Sequence, residues 1–111
     1  MSLLFILILG HYLADFALQS EALARGKRRS TVHVVPPGQK TAVVWPYCLF
    51  GHAGTHGLVV YVITGGVFYA FLETAAHALI DFLKCENKLS IHQDQALHII
   101  CKVVYTWMIL S

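Results

Sequence analysis

Four pairs of chemically capable residues recur along this chain at one spacing. His11 and Asp15, His52 and His56, His77 and Asp81, and Asp94 and His98 each lie four positions apart. On a helix that spacing stacks two side chains on one face, one turn apart, as two ligands of a common metal require. Seven histidines and three aspartates scattered at random over 111 positions would give only about one such pair. Imidazole and carboxylate together suit Zn, Mn or Fe, and the residue types do not choose among them. Eight potential ligands exceed one tetrahedral ion and suffice for two, so the set reads as a binuclear divalent-metal centre with a bridging carboxylate. Any one of these histidines alone is equally a hydrogen-bonding residue of a helical bundle; the repetition is what favours metal.

The neighbours of these pairs extend the chemistry. Glu73, one turn before His77, can be a ligand, an outer partner of a ligand or the catalytic base of a metal-bound water. Gln19, one turn after Asp15, and Gln95 can orient ligands or bind substrate. Lys84 and the basic run Arg25, Lys27, Arg28 and Arg29 can hold an anionic head group, or simply fix topology. Gly51, Gly54 and Gly57, interleaved with His52 and His56, make room for a neighbouring helix. Cys48, Cys85 and Cys101 form no close pair and read as small packing residues, with Cys48 a weak ligand candidate. His33 and His92 fall in or near loops and are expected in solvent.

Something must carry these pairs to a common level. The chain is 57% hydrophobic and only 13% charged, with a mean hydropathy of +0.62, which reads as a membrane protein. Its net charge of +2 gives no reason to expect nucleic acid as a partner. Four apolar segments are expected as helices near 2–24, 45–63, 66–86 and 90–110, each of about spanning length. Pro46 suits the first turn of the second, with Trp45 and Tyr47 beside it at an interface. The stretch 25–44, with its basic residues and Pro36-Pro37, reads as a surface loop. Lysine and arginine placement puts that loop in the cytoplasm and both termini outside. Lys102 is the exception to the pattern, expected to snorkel or to face a partner. The fold expected is all-α, a polytopic membrane four-helix bundle forming one domain over 1–111.

As a set, HxxxDFxLQ at 11–19, HxxxHG at 52–57, ExxxHxxxDxxK at 73–84 and DQxxH at 94–98 resemble the motifs of the domain of unknown function 3307 family, small bacterial and phage membrane proteins. The resemblance covers almost the whole chain in order and implies a helical bundle in the bacterial inner membrane. A looser similarity to membrane-bound metal-dependent hydrolases is an analogy of fold and ligand type.

These readings yield three expectations of function. The leading one is a membrane-embedded hydrolase that uses divalent metal on a lipid-linked phosphate or ester, with membrane lipids as surroundings. The second is a metal-ion or proton carrier, since ionisable residues inside spans often mark ion paths. The third is a structural or partner-binding protein whose metal holds short helices together, with homo-oligomerisation through the glycine faces as an option.

Overall fold

The computed structural model describes residues 2–20, 24, 26–28 and 45–111, and every regular element among them is helical. The first, α1 (Leu3–Tyr12), starts at Ser2, whose hydroxyl accepts a hydrogen bond from the Phe5 N–H at 3.3 Å. It runs into a π-helical turn, Leu13–Ala17, closed by the Leu18 N–H on the Leu13 carbonyl at 2.9 Å. Helix α2 (Trp45–Thr64) carries Pro46 in its first turn, where a missing N–H costs nothing.

Helix α2 ends where the Thr64 hydroxyl turns back onto the Val60 carbonyl at 2.8 Å and also accepts the Gly66 N–H at 3.1 Å. Gly65, at φ 72°, supplies the left-handed backbone that reverses the chain. Helix α3 (Val67–Cys85) follows at once. It stops at Asn87, φ 61°, past which the Lys88 N–H reaches the Leu83 carbonyl at 2.9 Å. Helix α4 (Ile91–Leu110) opens with a reciprocal cap: the Gln93 N–H bonds to the Ser90 hydroxyl at 3.1 Å, and the Ser90 N–H bonds to Gln93 Oε1 at 2.9 Å.

The helices form a ring. Helix α1 packs on α2, α2 on α3, α3 on α4, and α4 returns to α1, with the α2–α3 hairpin the most extensive pair. Residues four apart build the inward stripes: Glu73, His77, Asp81 and Cys85 on α3, and Asp94, His98 and Lys102 on α4. At one end Leu7, Val60 and Tyr105 form a small apolar core, with Ile63 and Tyr69 against it. The rest of the interior mixes buried polar side chains, the histidines, carboxylates and lysines, with buried Ala14, Leu49, Ala53, Ala78 and Cys85, while large apolar side chains such as Tyr47, Val62, Phe71 and Trp107 stand exposed on the outside.

Three expectations are corrected here. None of the described helices is long and apolar enough to cross a membrane. The multi-pass inner-membrane placement, the polytopic architecture and the orientation with both termini outside the cytoplasm are therefore overturned. The physical reason is visible in the stripes: α1 is only ten residues long, and α2 to α4 devote their inner faces to imidazoles, carboxylates and lysines, which dilute the hydropathy of each helix. The first segment does not run as one helix over 2–24, because the π turn ends at Ala17 and Leu18 to Ser20 are not helical. The other three helices lie within two residues of the expected ends. Finally, Lys27, read as part of a surface loop, is 2% exposed; the rest of 25–44, apart from 26–28, lies outside the described residues, and with it His33. His92 is exposed, as expected.

Candidate metal centre

Burial brings six of the eight expected ligands to one place. His11, Asp15, His52, His56, His77 and His98 are all buried inside the ring. Two overlapping groups have ligand atoms within 4.8 Å of one another: Asp15, His52, His56 and His77, and His11, His77 and His98. Tetrahedral zinc ligands stand about 3.3 Å apart, so small side-chain rotations would close either group on an ion. The rings themselves crowd together, His56 stacking on His77 at 3.7 Å between centroids and His77 on His98 at 4.2 Å.

Asp15 is the hub. Its Oδ1 accepts from His52 Nε2 at 3.1 Å and lies 3.4 Å from His56 Nε2; its Oδ2 accepts from Gln95 Nε2 at 2.8 Å and lies 3.8 Å from His11 Nε2. The π turn carries Asp15 in a wider backbone ring than an α-helix would give, a local irregularity frequent at functional sites. Gln95 also fixes His11: its Oε1 accepts from His11 Nε2 at 3.0 Å, which leaves Nδ1 with a free lone pair. His11 Nδ1, His56 Nε2, both ring nitrogens of His77 and His98 Nε2 are buried without a hydrogen-bond partner among the described residues. Buried polar atoms are seldom left so. A cation at their centre satisfies several of them at once.

The electrostatics suit ligation. Burial pushes His11 down to about 4 and His77 down to about 3, and lowers His56, so these imidazoles are neutral near pH 7 and offer lone pairs. Burial alone would raise the Asp15 carboxyl, but His52, His56 and Gln95 outweigh it and hold the group ionised well below its usual range. Buried histidines and an aspartate in this arrangement could hold a metal ion.

Asp81 and Asp94 stand apart from both groups. Asp81 is paired with Lys27, Nζ to Oδ2 at 2.7 Å, and with Lys84 at 3.4 Å. Burial raises its carboxyl, and the Lys27 and Lys84 charges more than reverse that. Asp94 lies 3.9 Å from Lys84 and 3.3 Å from His98, and accepts from Gln95 at 3.1 Å. Lys84, depressed by its own burial, is raised overall by Asp81, Asp94 and Asp15. Gln19 donates to the Asp15 carbonyl at 3.2 Å and accepts from Lys27 at 2.6 Å.

Glu73 sits deeper. Lys102, 1% exposed, donates to its Oε1 at 2.6 Å, and His77 Nδ1 is 3.7 Å from the same oxygen. Burial raises Glu73, while His77 and Lys102 outweigh it and bring it to about 2. Tyr105, nearby, is raised by burial and by Glu73. Lys102, expected to snorkel or to face a partner, instead turns inward onto Glu73. Its role was readable in principle, because it continues the every-fourth-residue ladder of Asp94 and His98; Lys27 carried no such signal. Cys48 is half-buried and belongs to neither ligand group.

A family model described as "Protein of unknown function (DUF3307)" matches residues 3–111. The chain belongs to that family. The match runs through all four motif-bearing helices of this DUF3307 protein, which agrees with the resemblance read from its motifs. No curated protein and no solved structure matches the chain, so the looser likeness to membrane-bound metal-dependent hydrolases gains no support.

Proposed function

We propose that this protein binds a divalent cation at Asp15, His52, His56 and His77 and uses it for hydrolysis of an ester or phosphate ester. One observation carries the reading. Of the buried carboxylates, Glu73, Asp81 and Asp94 each have a lysine within ion-pair distance, whereas Asp15 has only imidazoles among the described residues. A divalent ion supplies the missing counter-charge, and the neutral imidazoles complete its ligation. Oxygen and nitrogen donors of this kind suit Zn, Mn or Fe. The second group, His11, His77 and His98, supports the two-ion form of the centre, with His77 shared.

A divalent ion held by these residues would supply Lewis-acid chemistry for ester hydrolysis, acidifying water and polarising the ester oxygen. Glu73, expected as the base, is then better used to orient His77, since Lys102 already engages it. A second reading, a metal that only ties the four helices together, draws support from the near-complete burial of every ligand. Ion carriage is less well supported, because Leu7, Val60 and Tyr105 close the interior at one end.

Elemental analysis of purified protein, followed by turnover of p-nitrophenyl phosphate and p-nitrophenyl acetate, separates these readings. We expect at least one tightly held ion per chain, lost in Asp15→Asn, and turnover that disappears with it. Bound metal without turnover favours the structural reading. Protein that holds no metal defeats both.

A further inference from the structure

One side chain touches both ligand groups of the centre and belongs to neither. Gln95, near the start of α4, donates through Nε2 to Asp15 Oδ2 at 2.8 Å and to Asp94 Oδ2 at 3.1 Å, and its Oε1 lies 3.0 Å from His11 Nε2. Two carboxylates against one end of the amide fix that end as nitrogen, because an oxygen there would face two anions. The other end is therefore the carbonyl, and His11 must meet it with an N–H on Nε2. That leaves the His11 lone pair on Nδ1, a buried atom with no hydrogen-bond partner among the described residues. The same amide divides the Asp15 carboxylate. Oδ2 is taken by Gln95, while Oδ1 faces His52 Nε2 at 3.1 Å and His56 Nε2 at 3.4 Å.

We propose that Gln95 is a positioning residue that sets the coordination number of the Asp15 centre, and through it a preference for zinc over manganese. The inference rests on the reading of Asp15, His52, His56 and His77 as a metal site and deepens it by choosing the ion. With Oδ2 engaged, Asp15 gives one oxygen, and the imidazoles of His52, His56 and His77 complete the donor set of a tetrahedral Zn²⁺. A carboxylate released from the amide can bind through both oxygens, and the added donor suits an ion with a larger, oxygen-rich shell such as Mn²⁺. Both N–H groups and the carbonyl of Gln95 are engaged by groups on two helices and the π turn, so the amide is held in this orientation from every side.

The test compares the wild type with Gln95→Met, which keeps the length of the side chain and removes its hydrogen bonds. In competition titrations the variant is expected to hold Zn²⁺ about tenfold less tightly and Mn²⁺ no less tightly. The visible absorption of Co²⁺-substituted protein is expected to be strong in the wild type, as for tetrahedral cobalt, and to fade in the variant as the coordination number rises. A side chain that only supports packing would lower both affinities alike and leave the cobalt spectrum unchanged, and either outcome overturns the proposal. If Gln95→Met does not fold, the wild type decides: nitrogen NMR of the metal-free protein should find His11 protonated on Nε2, and the cobalt centre should be tetrahedral. His11 protonated on Nδ1, or cobalt of higher coordination in the wild type, overturns the role of Gln95 and leaves the metal site standing. Failure of the wild type to bind zinc, manganese or cobalt is a different result, and removes the proposed centre and this inference together.

Discussion

At the residue scale the interior is governed by charge compensation. A buried ion pair is a weak source of stability, yet removing one partner strands a charge in a low-dielectric interior. Glu73 and Lys102 are the clearest instance, each 1% exposed and 2.6 Å apart. Lys102→Met is therefore expected to destabilise the fold by about 3–5 kcal/mol, while Glu73→Gln together with Lys102→Met should restore most of that loss. Urea denaturation of the two variants measures this, and a double variant no more stable than the single one would show that the pair is not the source. The same logic separates the expected ligands: among the described residues Asp81 and Asp94 have lysines within ion-pair distance, and Asp15 has only imidazoles.

At the scale of elements, the glycines of α2 were read together as a close-packing face, and the structure divides them. A Cβ at Gly57 would collide with the Thr74 hydroxyl and come within 2.8 Å of the Ala70 carbonyl, so α3 packs against the bare backbone here. At Gly51 and Gly54 a Cβ would meet nothing within 4 Å. Gly57→Ala should accordingly cost about 1–3 kcal/mol by overpacking, whereas Gly54→Ala should add about 0.5–1 kcal/mol by removing backbone freedom from a helix interior. Thermal melts of the two variants should move in opposite directions, and parallel shifts would refute the division. Because the α2–α3 hairpin also carries His52, His56 and His77, Gly57→Ala is expected to weaken metal retention as well.

For the whole molecule, the ledger of buried titratable groups gives the pH response of the metal-free protein. The folded state holds His11 at about 4 and His77 at about 3, below the ordinary histidine value of 6.5, so below pH 6.5 the unfolded chain binds protons that the folded chain excludes. Stability is therefore complete above pH 6.5 and falls as pH drops from there toward 3. Asp15, Asp81 and Glu73, all lowered by folding, add a further loss as pH falls below their ordinary values of 3.8, 3.8 and 4.5. The expected outcome is a melting temperature that declines steadily from neutral pH to pH 4; a melting temperature flat across that window would contradict the burial of neutral imidazoles. Much of this molecule was legible beforehand. The positions of α2, α3 and α4 followed from apolar runs and turn residues, and the pairing of ligands followed from helix geometry, because residues four apart share a face whatever the helix packs against. Sequence alone thus determined that each helix would present an imidazole or carboxylate stripe. Tertiary structure decided what each stripe meets. Contacts such as Gln95 on Asp15, 80 positions apart, and Lys27 on Asp81 depend on how the ring closes, and no local spacing encodes them. Nor could apolar content alone place the chain in a bilayer: the same composition, with its polar residues gathered inward, leaves every described helix too short or too polar to cross one.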